Sequence, residues 1–384
     1  MKIGIITIHR SQNNYGAALQ AFALWKYVTS LGFDCEIIDL YRPIHPGFQA
    51  SRGYLPLRKK KKRVIKSFYY KIKSLFLKDN KPNTKRILTP EAVQRFEEFN
   101  SLIKYSHPYF SVDSLYDNPP EYDVYITGSD QVWNPTMPYC IEPYFLNFVT
   151  NGGRKLSYAA SIGISELLPE ENSSFRRWLS SYDAISVREK KGSEKICEIT
   201  GRDNVIQVCD PTFLLEKEAW LRMSTPPSIS SKYLLLFTLS FNSLLFEYAM
   251  QLKLQSGLEL VYLSYGNPVK LPDDCHGVSD AGPREFLGYL NSAEMVITDS
   301  FHGTALSIIL QANNFYSYIS PKNNRGSRIT DLLDTYNLSS HLLNPDLSTT
   351  YDELSSNNID WLNESLILDK EREYGRSFLK KHLV

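Results

Sequence analysis

The stretch EMVITDSFHGTALSIILQANNFYSYI, residues 294–319, sets His302 beside Asp299 and Ser300 at a turn where the hydrophobic period changes. Met295, Val296 and Ile297 form a short apolar run, and Ala305, Leu306, Ile309 and Leu310 then share one helical face. A strand should therefore give way to a helix at Ser300, Phe301, His302 and Gly303. An imidazole on the first turn of a helix sits where backbone N–H groups favour an anion. It also titrates near neutrality and can move a proton. A lone histidine in a loop is equally a common capping residue, so the rest of the chain has to support it. Asp130 and Gln131, in GSDQVWNP after the apolar run at 122–127, offer a carboxylate and an amide to hydroxyls. Trp133 beside them could stack on a sugar ring or simply pack in the core. Arg188 follows the run Ala184 to Val187 and presents a planar fork to an anion, unless it is a solvated surface charge. Asn14, Tyr15 and Gly16 follow the first apolar run, where Gly16 opens the backbone to a ligand and Asn14 serves as helix cap or ligand contact.

These residues all fall at the ends of segments that read as strands. KIGIITI is a continuous apolar run suited to a buried parallel strand, NNYGAALQAFALWKYVTSLG a helix closed by Gly32, and residues 36–39 the next strand. This α/β rhythm is lost over 42–120, which reads as an insertion, and returns with strands at 122–127, 156–161, 184–187 and 205–208. A breaker-rich stretch, MSTPPSISS, separates this half from a second series: strand 233–239, helix 244–254, strand 258–263, helix 284–290, the opening stretch, and a helix at 329–336. In open α/β sheets ligands bind beyond the carboxyl ends of the strands, where each candidate residue lies. We divide the chain into a Rossmann-like domain over 1–220, carrying the insertion 42–120, a second over 221–345, and a helical tail over 346–384 expected to pack back on the first domain.

With 384 residues the chain is long enough for two cores, and 42% hydrophobic with 22% charged residues is an ordinary globular composition. A net charge of +1 gives no overall attraction to nucleic acid. The five cysteines are odd in number, scattered and without a CxxC pair, so reduced, mostly buried thiols are expected rather than disulfides or zinc. The first apolar run is too short for a signal peptide and no run approaches membrane-spanning length, which predicts a cytoplasmic protein. Charge is concentrated at Arg58 to Arg86, thirteen Lys or Arg against Asp79 alone. Within residues 58–78, Val64, Ile65, Phe68, Ile72, Leu75 and Phe76 share a helical face between lysines, the pattern of a helix lying on an anionic membrane or docked on the first domain.

With these residues in place the chain resembles the polysaccharide pyruvyl transferase family. NNYGAALQAFAL, ITGSDQVWNP, SYAASIG, ISVREKKG, VCDPTFLL, VITDSFHGTALSIIL and RGSRITDLL look like that family's motifs in its order. The resemblance implies an α/β, GT-B-like pair of Rossmann-type domains facing across a cleft, with the basic helical insertion in the first. It also implies transfer of pyruvate from phosphoenolpyruvate (PEP) to two hydroxyls of one sugar as a ketal. The acceptor would be a saccharide, free or lipid-linked, and bind the first domain through Asn14, Tyr15, Asp130, Gln131 and Trp133. The donor would bind Arg188, Ser300, His302 and Gly303. Other branches carry Arg two residues before the His, where this chain has Ser300, so Arg325 or, preferred, Arg328 is expected to supply the missing cation. His302 is then the general acid, and Asp130 or the departing phosphate takes the hydroxyl proton. No cofactor, metal or nucleic-acid partner is expected, and the membrane contact would be peripheral, at the inner face. A GT-B glycosyltransferase using a nucleotide sugar, or a non-catalytic saccharide-binding protein on this fold, would carry many of the same residues.

Overall fold

The computed structural model describes residues 1–9, 13–43, 45, 47–49, 88–137, 140–164, 166–264, 271–321 and 326–384. Arg325 and the basic stretch 58–78 lie outside these. The first sheet contains β1 (Lys2–Ile6), β2 (Asp34–Ile37), β3 (Val124–Thr127), β4 (Arg154–Ala160), β5 (Ala184–Val187) and β6 (Ile206–Gln207), in the order β2-β1-β3-β4-β5-β6. The second contains β7 (Tyr233–Phe237), β8 (Glu259–Leu263), β9 (Cys275–Val278), β10 (Met295–Thr298) and β11 (Phe315–Ser317), in the order β11-β10-β7-β8-β9. Every pairing is parallel. The runs VYIT, AISV, YLLLF and MVIT are buried at every position, as strands covered on both faces must be.

Helices cover both sheets: α1 (Tyr15–Ser30), α2 (Pro90–Asn100), α3 (Val112–Asp117), α4 (Pro169–Leu179), α5 (Lys190–Thr200) and α6 (Lys217–Leu221), then α7 (Ser243–Ser256), α8 (Pro283–Ser292), α9 (Phe301–Ile309), α10 (Ser327–Thr335), α11 (Tyr351–Ser356) and α12 (Trp361–Leu383). In each sheet the strand order reverses once near the middle, beside β1 in the first and beside β7 in the second. Crevices open at such switch points because neighbouring connections leave in opposite directions. The loops after β1 and β3 and those after β7 and β10 therefore frame one cleft.

Two elements differ from the sequence reading. Strand β9, CHGV, has no apolar run; it is a half-exposed edge strand, and His276 and Gly277 hide it from any periodicity. The described end of the region read as an insertion is built into the molecule. Residues 105 and 109 bridge to Ile37 and Leu40, extending the first sheet. Phe96 and Phe99 of α2 are fully buried in the core that also takes in Phe22 of α1 and Phe286 of α8. That core joins the two halves. Tyr15 stacks between Phe96 and Phe286, with centroids 5.2 and 4.5 Å away, and its hydroxyl donates to Ala281 O at 2.9 Å.

Helix α12 returns to the first half. Arg372 Nε donates to Phe213 O at 2.9 Å, and Arg376 Nη2 to Leu214 O at 2.7 Å. Gly375 allows the approach, since a Cβ there would lie 2.4 Å from Tyr158 Oη. Cys35 and Cys140 are buried, the other three cysteines half-buried, and all five are free thiols. Among the described residues no helix is long and apolar enough to cross a membrane.

Candidate active site

Helix α9 begins where β10 ends. Ser300 is its cap, and its Oγ accepts from Gly303 N–H at 3.2 Å. Gly303 has no side chain because a Cβ would lie 2.5 Å from Thr298 Oγ1. His302 follows on the first turn, as the sequence indicates, and its ring crosses to the first domain. A Cβ on Gly16 would stand 2.1 Å from His302 Nδ1. Gly16 is thus glycine because the imidazole occupies the space its side chain would need.

The cleft these elements frame encloses about 770 Å³, open solvent at its mouth included, within the range of small-molecule sites. Asn14, Tyr15, Gly16, Asp130 and Gln131 line it from the first domain. Leu239, Asp299, Ser300, His302 and Arg328 line it from the second. Asn14 acts as a helix cap, its Oδ1 accepting from Ala17 N–H at 3.0 Å. Gln131 accepts from Asn134 Nδ2 at 2.7 Å. Asp130 adopts a left-handed backbone, φ 64°, which Asp tolerates better than most residues and which aims its carboxylate at the domain boundary.

Arg188 lies behind the cleft, its side chain only 3% exposed. Nη1 meets Asp210 Oδ2 at 2.7 Å, Nη2 meets Asp130 Oδ1 at 3.4 Å, and Nε lies 3.7 Å from Glu189 Oε1. Its guanidinium carbon rests 4.2 Å from the centroid of the Phe301 ring. The guanidinium lines a smaller adjoining cavity with Phe301, Arg328 and Asp331 rather than the open cleft. Nearby carboxylates hold its pKa above the ordinary value against the effect of burial, Asp210 contributing most.

Asp210 is the hub that sequence reasoning missed. It caps the turn after β6, accepting from Thr212 N–H and Oγ1 at 3.0 and 2.9 Å, and Ser129 Oγ donates to it at 3.3 Å. His302 Nε2 stands 3.6 Å from its Oδ2, inside ion-pair range. Burial raises the pKa of such a group, but His302 and then Arg188 outweigh burial and hold the Asp210 carboxyl well below its usual range. In Asp130 burial is likewise overcome, by Arg188, His302 and Arg328. The signal for Asp210 was present, an Asp at the end of a strand in VCDPTFLL, the same rule that picked out Arg188. Asp299 behaves oppositely: burial pushes its carboxyl up to about 6, although Leu239 N–H works against the shift.

Trp133 must be corrected. It is fully buried, stacked 5.5 Å from Phe145, and its Nε1 donates to Tyr144 O at 2.8 Å, so no face of the indole meets a ligand. The other described candidates meet at or just behind one cleft between the domains.

The two Rossmann-type units facing across this cleft form a GT-B fold. A putative UDP-N-acetylglucosamine 2-epimerase from Listeria monocytogenes is similar at 12% identity with a TM-score of 0.52, over 97% of this chain and 91% of that one. The UDP-GlcNAc 2-epimerase of Methanocaldococcus jannaschii, solved with UDP-GlcNAc and UDP, is similar at 12% identity and TM-score 0.50, over 100% and 99%. Identity this low speaks for the fold alone. No curated protein matches the sequence. The sequence does match the family model of polysaccharide pyruvyl transferase over residues 14–316, which takes in the cleft residues on both sides up to His302. The chain belongs to the polysaccharide pyruvyl transferase family.

Proposed function

We propose that this protein transfers pyruvate from PEP to two hydroxyls of one saccharide, forming a ketal and releasing phosphate. The observation that carries this reading is the seat of His302: on the first turn of α9, against Gly16 of the opposite domain and 3.6 Å from a buried carboxylate. PEP brings a carboxylate and a phosphate. The start of α9 with Ser300, His302 and Gly303, and Arg328 beside it, suits two such anionic groups. Asn14, Tyr15, Asp130 and Gln131 form the wall we assign to the acceptor. His302, 3.6 Å from Asp210, delivers a proton to the methylene carbon of PEP. One sugar hydroxyl oxygen bonds to C2 as its O–H bond breaks, phosphate departs with that proton, and the second hydroxyl oxygen closes the ketal while its proton returns to His302.

Arg188 acts in this reading by fixing Asp130 and Asp210 rather than by clamping the donor, because its nitrogens already face carboxylates behind the cleft. The saccharide is proposed to be carried on a lipid at the inner membrane face, with the basic segment 58–78 as the surface contact.

The test is phosphate release from PEP by the purified chain over a panel of methyl hexopyranosides, with product mass read in parallel. Release coupled to ketal formation is expected, and His302→Ala should lose about 10²- to 10⁴-fold while staying folded. Nucleotide release from a sugar nucleotide, with none of phosphate from PEP, would overturn the proposal.

A further inference from the structure

The cleft contains a second carboxylate that the roles above leave unused. Asp299 follows directly on β10 and lines the second domain's wall of the cleft, whose other wall bears Asn14, Tyr15 and Gly16. Its Oδ1 accepts from Leu239 N–H at 2.8 Å, so the group is pinned to the backbone at the end of β7. Phe237, Leu239 and Phe286 contribute apolar lining beside it.

The two carboxylates of the cleft differ in what surrounds them. Asp130 has Arg188 at 3.4 Å and feels His302 and Arg328 as well, so its charge is already satisfied and it is a weak base. Asp299 has burial as its main perturbation and only backbone N–H groups as compensation. An ionised carboxylate in that setting gains by taking up a proton.

We infer that Asp299, rather than Asp130, removes the proton from the acceptor hydroxyl that attacks the donor, a role that rests on the pyruvyl transfer proposed above. As the hydroxyl oxygen bonds to C2 of the protonated donor, its O–H bond breaks toward the Asp299 carboxylate. When the C2–O bond to phosphate breaks, that proton leaves with phosphate and Asp299 is ionised again. Asp130 is then a positioning group that holds the sugar.

The experiment compares the full chain with Asp299→Asn and Asp130→Asn. It reads PEP binding by calorimetry, phosphate release with PEP and methyl hexopyranosides against pH, and carboxyl ¹³C resonances. Asp299→Asn is expected to bind PEP like the wild type and to lose roughly 10²-fold or more in kcat. The wild-type acid limb, activity falling as pH drops through about 6, should vanish in Asp299→Asn and persist in Asp130→Asn. Near wild-type turnover in Asp299→Asn, or an acid limb lost only in Asp130→Asn, overturns the assignment and leaves the transfer reading standing. Should PEP bind without phosphate release, the carboxyl resonance missing in Asp299→Asn decides. A midpoint near 6 supports the role, and one at the ordinary Asp value of about 4 overturns it. Absence of both PEP binding and release in the wild type removes the transfer reading and this role with it.

Discussion

Arg188 faces three carboxylates within 3.7 Å and sits on an aromatic ring, surroundings that engage both terminal nitrogens of its planar fork. Lysine supplies one charge and cannot hold two carboxylates at fixed angles. Arg188→Lys is therefore expected to lower kcat while leaving the PEP concentration for half-saturation within about threefold, because a group acting only through others changes turnover rather than ground-state binding. Steady-state kinetics over PEP check this, and a rise of tenfold or more in half-saturation would return Arg188 to direct donor contact. At this scale the sequence was informative wherever chemistry coincided with a strand end. His302, Asp130 and Arg188 were legible for that reason, and Asp210 obeyed the same rule unnoticed. Trp133 was misread because an aromatic beside polar residues is compatible with both a sugar platform and a core side chain. Its fate was decided by Phe145 and Tyr144, more than ten positions further on, which no local pattern reveals.

At the scale of elements, the site exists because the first turns of α1 and α9, from different domains, meet across the His302 ring where Gly16 leaves it room. Gly16→Ala places a methyl where the imidazole is, 2.1 Å from Nδ1. Either the ring swings away or the domains part. Overpacking of this kind typically costs about 1–3 kcal/mol, so the variant should unfold at a lower temperature and lose turnover more than tenfold. Calorimetry with the phosphate-release assay checks both effects. Unchanged activity would mean that the ring is free to move and that its seat does not matter. Most strands were legible as continuous apolar runs because both faces are covered. Helix α2 starts from its Thr89 cap inside the region read as an insertion, and its place in the core was not legible, since packing Phe96 against Tyr15 depends on a partner about eighty positions away. Strand β9 was missed for the converse reason, as an edge strand needs neither apolar face.

For the whole molecule, charge is spread unequally. The net charge is +1 while Arg58 to Arg86 alone has thirteen basic residues and one acid, so the rest of the chain is acidic. Each basic residue near an anionic bilayer contributes roughly 1 kcal/mol, enough in combination for reversible attachment. The protein should sediment with anionic vesicles at low salt, less as salt rises, and not at all when Lys59, Lys60, Lys61 and Lys62 are changed to Glu. Activity on a water-soluble acceptor should survive that change. Equal recovery of both proteins in the vesicle pellet would remove the membrane from the proposal. The two-domain plan itself was legible because the α/β rhythm restarts after MSTPPSISS. The joining of both halves through one aromatic core was not, since it arises from residues far apart in the chain.

The return of α12 to the first domain gives the molecule an order of completion. Phe213 and Leu214 lie three and four positions after Asp210, and their carbonyls receive Arg372 and Arg376 from 159 and 162 positions downstream. Buried carbonyls left without donors are costly. A growing chain that has already emerged with both sheets and every residue lining the cleft still lacks the brace behind its acidic hub. The brace behind Asp210 thus comes from a stretch that is made after every residue lining the cleft and lines none of the cleft itself.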